Sequence, residues 1–219
     1  MTRLAIAVLI SGRGSNLQTL LDACATPGFP ARIALVISNI AGAAGLERAE
    51  RAGIPIAVVS HKAFTSREAF DAELKRRIDA TGAQLVCLAG FMRLLSTGFV
   101  TAFHNRMINI HPSLLPAFPG LHTHERVLAA GVRFTGCTVH FVRAETDAGP
   151  IIVQAAVPVL AADTPETLGA RVLASEHACY PQAVRWIAEG RVVVDGDRVT
   201  VRGAIGAAQA LVNPPVETT

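Results

Sequence analysis

The first half of the chain alternates short, nearly continuous apolar runs with longer amphipathic segments. The runs at residues 4–10, 33–37, 56–59 and 85–89 have the length and the unbroken apolar character of strands buried on both faces. Between them the pattern predicts helices over residues 17–25, over 43–52 (stopped by Gly53), and from the N-cap Ser66 to about residue 80. A short helix over 96–102 leads to a fifth run, Met107-Ile108-Asn109-Ile110, which ends in His111-Pro112. Alternation at this spacing predicts a Rossmann-like α/β fold, with a mostly parallel sheet and helices on both faces.

After His111 the rhythm changes. A loop with Pro112, Pro116 and Pro119 precedes a short helix over 123–130 that ends at Gly131. Strands over 134–142 and 151–157 are too close in sequence for a crossover, so they should pair antiparallel and make the C-terminal part of the sheet mixed. Thr164-Pro165 reads as an N-cap followed by proline at the first helical position, opening a helix to about Glu189. Valine-rich runs flank Asp195-Gly196-Asp197 as a hairpin. The expected organisation is a single domain over residues 1–203, with a flexible alanine-rich tail over 204–219.

In parallel sheets of this kind ligands collect beyond the carboxyl ends of the strands. Here those ends carry Ser11-Gly12, Ser38-Asn39, Ser60-His61, Gly90 to Arg93, and Asn109 with His111. Polar and glycine residues gather there and almost nowhere else in the strands. The turn Ser11-Gly12-Arg13-Gly14-Ser15-Asn16 joins a strand to a helix, as phosphate-binding turns do, and equally as a ligand-free tight turn would. It is not a Walker loop, because no Gly-Lys-Ser/Thr follows. It is not the dinucleotide fingerprint, because Leu17 stands where the third glycine belongs.

Composition narrows the classes. Of the 219 residues 51% are hydrophobic and 17% charged, which excludes a disordered chain, and the net charge of +3 is too small to argue for nucleic acid. Four dispersed cysteines with no CxxC pair read as reduced thiols of a cytoplasmic protein. No window approaches the ~20 apolar residues of a membrane span.

Asn109 and His111 are two apart in a strand and so share a face; Pro112 ends the pairing beyond them. The strand after Thr138 runs into a polar loop carrying Asp147. An amide, an imidazole and a carboxylate on neighbouring strand ends can donate to an oxyanion, move protons near neutral pH, and favour the imidazolium form. Such a carboxylate raises a histidine pKa. A serine-hydrolase elbow is absent, and a zinc site from His122, His124 and His140 has no diagnostic spacing.

Four segments, Ser11-Gly12-Arg13-Gly14-Ser15-Asn16-Leu17, Gly90-Phe91-Met92-Arg93, the block from Ile108 through Asn109, His111 and Pro112 to Pro116, and Asp147-Ala148-Gly149-Pro150, together resemble the phosphoribosylglycinamide formyltransferase family of the folate-dependent formyltransferases. The likeness runs from about residue 3 to residue 200. It implies transfer of a formyl group from 10-formyltetrahydrofolate to glycinamide ribonucleotide in purine synthesis, without a metal. It implies Asn109, His111 and Asp147 as the catalytic trio. Gly14, Ser15, Asn16, Leu17 and Glu176 are the implied ribonucleotide contacts. Arg67, Met92, Arg93, Leu94, Leu95, Asn109, Arg143, Ala144, Glu145, Thr146 and Asp147 are the implied folate contacts. Some members carry a lysine three residues before the glutamate that matches Glu176; here Leu173 stands there.

The expected partners are these two small molecules, with no nucleic acid and no membrane, in a monomer or homodimer. Three alternatives share parts of the pattern. A formyltetrahydrofolate deformylase uses water as acceptor and usually carries an N-terminal regulatory domain. A methionyl-tRNA formyltransferase needs a basic C-terminal domain. A non-catalytic nucleotide- or folate-binding module has no need of the trio.

Overall fold

The computed structural model describes residues 2–206 and 209–215. Its first strand, β1 (Leu4–Ile10), is buried along nearly its whole length, as an apolar run at the centre of a sheet must be. Around it stand β2 (Ala31–Ser38), β3 (Ile56–Val58), β4 (Leu85–Leu88), β5 (Met107–His111), β6 (Phe134–Phe141) and β7 (Ile151–Pro158). They form one seven-stranded sheet in the order β3-β2-β1-β4-β5-β6-β7. The first five are mutually parallel, whereas β6 is antiparallel to both β5 and β7. The α/β class and the mixed C-terminal part are therefore as the hydrophobic pattern predicts.

The helices are α1 (Ser15–Ala25), α2 (Ala44–Arg51), α3 (Arg67–Asp79), α4 (Thr97–Ala102), α5 (Thr123–Ala130) and α6 (Pro165–Ala188). Two cores result. On one face Ile6, Val8, Ile10, Ile108, Ile110 and Val139 pack with Leu17 and Leu20 of α1, Leu46 of α2, and Leu168, Val172 and Val184 of α6. On the other, Ala7, Leu9, Val86, Leu88 and Met107 pack with Phe70, Leu74 and Ile78 of α3 and with Phe99 and Phe103 of the α4 segment. The side-chain period of two assigns each residue its face. It also places Asn109 and His111 on the second face, after Met107. That face carries the helices α3 and α4 over β1 and β4, and their core cluster ends at Met107.

α6 is the longest helix, and it begins where Thr164-Pro165 predicts. The Thr164 hydroxyl accepts from the Thr167 N–H at 3.3 Å, while the Thr167 hydroxyl accepts from the Thr164 N–H at 2.9 Å. This reciprocal cap satisfies two helix-end donors at once. Thr164→Ala is expected to cost about 1 kcal/mol. Urea unfolding should register that as a lower midpoint with an unchanged slope. Inside the same helix Tyr180 is fully buried and donates its hydroxyl to the Leu88 carbonyl at 2.9 Å, tying α6 to the middle of the sheet.

The valine runs form the two-stranded hairpin β8 (Val192–Asp195) and β9 (Arg198–Val201). Within the segment expected as a flexible tail, the Asn213 amide donates to the carbonyls of Arg133 and Val159 at 2.7 and 2.9 Å. Residues 207–208 and 216–219 of that segment lie outside the described residues.

Candidate functional site

Because β6 is antiparallel to β5, residues directly opposite one another share a face. The register pairs Asn109 with His140 and His111 with Thr138. Four polar side chains thus stand together on one sheet face, and three of them are almost completely buried: His111, Thr138 and His140. The antiparallel direction has a second consequence. The carboxyl end of β6 lies beside the amino end of β5, where the Val142 N–H donates to the Met107 carbonyl at 2.9 Å. Asp147 therefore does not stand at a neighbouring strand end, as strand counting suggests. The loop carrying it leaves from the opposite end of β5 and brings the carboxylate back to His111.

Asp147 takes a left-handed backbone conformation (φ 55°) at the tip of that loop. Its Oδ2 accepts from the Gly120 N–H at 2.8 Å and lies 3.3 Å from His111 Nδ1. The other ring nitrogen, Nε2, is 2.9 Å from the Phe118 carbonyl, which can only accept, so Nε2 carries a proton. Asp147 and the proline-rich segment thus grip His111 from two sides. The 3.3 Å contact is longer than a closed charge-assisted bond.

The sequence offers His140 only as a candidate zinc ligand, and its place in the fold is different. Its Nδ1 is 3.0 Å from the Phe141 carbonyl and therefore bears the proton, which leaves Nε2 as an acceptor for the Asn109 amide at 3.3 Å. Burial, the largest influence, pushes the His140 pKa below its ordinary value and favours this neutral ring. The approach of His140 Nε2 to Asp147 Oδ1, at 3.8 Å, is then not an ion pair. One N–H of the Asn109 amide is taken by His140, and the other has no hydrogen-bond partner among the described residues. The strand alternation that places Asn109 and His111 on one face also selects His140, once the antiparallel register is known. Among the described residues no group of three or more histidine, cysteine or acidic side chains is placed to hold a metal ion, so His122, His124 and His140 do not assemble.

The glycine-rich turn lies across the sheet, after β1. Gly14 sits at the N-cap of α1 in a left-handed conformation (φ 70°) with no side-chain cap. A Cβ there would come within 2.7 Å of the Gly45 Cα, so close packing as well as backbone geometry requires glycine. α1 begins at Ser15, two residues before the apolar pattern suggests, and its first N–H groups have no side-chain cap. Asn16, in that first turn, donates to Glu176 of α6 at 2.6 Å, and its buried Oδ1 has no partner. Burial pushes the Glu176 carboxyl above its ordinary pKa, against the pull of the Asn16 hydrogen bond. Ser15, Asn16, Leu17 and Glu176 are thus brought together, 160 residues apart in the case of the Asn16–Glu176 pair.

The predicted folate contacts other than Asn109 and Asp147 stand in four places. Met92, Arg93 and Leu94 are exposed in the segment after β4, with Met92 and Leu94 63% and 61% accessible, and Leu95 packs partly against the α3 and α4 core. Arg67 is the first, exposed residue of α3. Ala144, Glu145 and Thr146 are exposed in the loop before Asp147. Arg143 donates to the Asn105 side chain at 2.7 Å and to the Val142 carbonyl, which places it at the amino end of β5.

The formyl transferase family model matches residues 4–184. A phosphoribosylglycinamide formyltransferase of Escherichia coli K12 is 49% identical over 205 residues, covering 90% of this chain and 97% of that protein. The trifunctional purine biosynthetic protein adenosine-3 of Bos taurus is 53% identical over 187 residues; the match covers 85% of this chain but only 18% of that much longer relative. The crystal structure of glycinamide ribonucleotide transformylase 1 from Symbiobacterium toebii superposes with a TM-score of 0.89 at 56% identity, over 91% of this chain and 94% of that one. By the family match and by these relatives, this chain belongs to the formyl transferase family.

Proposed function

We propose that this protein transfers the formyl group of 10-formyltetrahydrofolate to the amine of glycinamide ribonucleotide, giving formylglycinamide ribonucleotide and tetrahydrofolate. The observation that carries this reading is the pairing of Asn109 and His111 on one sheet face with the Asp147 carboxylate that the loop after β6 brings to His111. Similar proteins bearing the formyltransferase name support it. The ribonucleotide is assigned to the open end of α1, with Ser15, Asn16, Leu17 and Glu176 around it and Gly14 shaping the turn. The folate is assigned to Arg67, Met92 to Leu95, Asn109 and the segment Arg143 to Asp147. The working unit is residues 1–203, acting in the cytoplasm as a monomer or homodimer.

The substrate amine is the nucleophile, so the enzyme needs no covalent intermediate. The amine nitrogen bonds to the formyl carbon and the carbonyl π pair moves onto oxygen. The free N–H of Asn109 and the imidazolium of His111 donate to that oxyanion. The C–N bond to folate then breaks, the oxyanion pair reforms the carbonyl, and the folate nitrogen takes a proton. The amine, cationic after attack, gives one up. His111 handles the transfer, and the Asp147 carboxylate sustains the charged ring. His111 acts on substrate when Nδ1 exchanges its long Asp147 contact for the substrate or for a bridging water.

The test is formyl transfer from 10-formyltetrahydrofolate, with and without glycinamide ribonucleotide, following both products. Tetrahydrofolate should form only with the nucleotide present, matched by formylated product. Formate release without the nucleotide would replace the reading with a deformylase. No turnover by folded protein under either condition would replace it with a binding module.

A further inference from the structure

The carboxyl ends of β1, β2 and β3 carry three polar side chains that formyl transfer does not use: Ser11, Asn39 and His61. Ser11 and Asn39 are 7% and 4% exposed, so each must find partners inside the protein. Their hydrogen bonds run in one direction. The Met92 N–H donates to Ser11 Oγ at 2.8 Å. Ser11 Oγ donates in turn to Asn39 Oδ1 at 2.6 Å, and Asn39 Nδ2 lies 3.4 Å from His61 Nδ1.

Each link dictates the next. A backbone N–H can only donate, so the serine oxygen accepts there and spends its one proton on Asn39. With its oxygen facing Ser11, Asn39 must present its NH₂ to His61. His61 Nδ1 must then accept, which requires the neutral ring with its proton on Nε2. Burial, Arg93 and Lys62 all press the His61 pKa below its ordinary value, in the direction of that form.

The far end of this chain is a main-chain group in a segment with neither helix nor strand. Residues 90–95 are held at three points: Gly90 accepts from the Ser11 N–H at 3.0 Å, Met92 donates to Ser11, and beyond them the Ser96 N–H donates to buried Asp71 at 2.6 Å. Between these ties the side chains of Met92 and Leu94 stand out into solvent. Exposed apolar side chains on a fixed backbone form a wall prepared for a flat ring. On an untied backbone they would fold down onto neighbouring apolar surface.

We propose that Ser11, Asn39 and His61 form a positioning relay that fixes the Met92 backbone, and with it the wall against which the folate ring packs. The relay touches no reacting atom; it lowers the ordering cost that folate would otherwise meet on binding. The proposal rests on the assignment of folate to residues 92–95.

Calorimetric titration of the full chain with tetrahydrofolate, and separately with glycinamide ribonucleotide, tests it, together with kcat at saturating substrates. Loss of one neutral hydrogen bond predicts about three- to tenfold weaker tetrahydrofolate binding in Ser11→Ala, Asn39→Leu and His61→Ala, with ribonucleotide binding and kcat changed less than about threefold. Ser11→Thr, which keeps the hydroxyl, should bind tetrahydrofolate close to the parent. If the parent binds tetrahydrofolate and the relay variants bind it equally well, the relay is overturned and the folate reading stands. Equal losses for both ligands would mark a general structural role and overturn it too. A parent that binds no tetrahydrofolate removes both proposals. His61→Ala, at a half-buried position on the rim, keeps the test decisive should a buried variant fail to fold.

Discussion

His111→Ala is expected to slow formyl transfer by about 10²–10⁴-fold, the usual contribution of a positioned acid–base group. Ribonucleotide and tetrahydrofolate should still bind within a few-fold of the parent. The separation is expected because His111 is enclosed by protein groups. Its Nε2 faces the Phe118 carbonyl and its Nδ1 faces Asp147. Removing the ring leaves little undone in the fold. The Phe118 carbonyl is also 3.3 Å from the Ser113 hydroxyl, and Asp147 keeps its bond from the Gly120 N–H. The loss should therefore appear in the chemical step. Single-turnover rates with both substrates bound measure that step, and titration measures binding. Near-normal single turnover would remove His111 from the mechanism. An equal loss of both binding constants would mean that the proline-rich segment had lost its shape.

How far the site could be read in advance follows from the range of each interaction. Asn109 and His111 are two residues apart in one strand, and the period of two is enough to put them on one face. The turn at Gly14 is likewise local, and so is the Thr164-Pro165 cap. The partner of Asn109 is not local. His140 meets it through the antiparallel register of β5 and β6, which places Asn109 opposite His140 rather than Val139. A shift of one residue would have turned His140 to the other face. Asp147 is legible as a carboxylate in the polar loop that follows the Thr138 strand, but its place in space is not. Its route to His111 depends on which end of β5 the loop leaves from, and strand direction settles that. The Ser11–Asn39–His61 chain was visible only as three unrelated polar strand ends. Its meaning lies in which atom donates to which, and that depends on sheet order β3-β2-β1. Leu173 shows a residue type without showing what takes the place of a base, and nothing in the structure explains that substitution.

Asn109→Ala is expected to lower the rate of the chemical step by about 10²–10³-fold, the cost of one oxyanion donor. The strand should survive, because Asn109 is paired through its backbone on both sides, with Leu88 in β4 and with His140 in β6. The His140 ring would lose a donor at Nε2 but keep its bond to the Phe141 carbonyl. His140 remains neutral and so adds no charge to the site. Since Asn109 and His111 are assigned to the same developing oxygen, their losses should not multiply. With His111 gone, the oxyanion is held poorly and the reaction passes through whatever geometry remains, so further removal of Asn109 should cost less than it does alone. The double variant is therefore expected to be no more than about tenfold slower than His111→Ala by itself, because groups acting as one unit are strongly non-additive. Single-turnover measurement of all four forms, parent included, gives the coupling directly. Losses that multiply fully would mean that the two side chains serve separate steps, and His111 would keep proton transfer while Asn109 alone held the oxyanion.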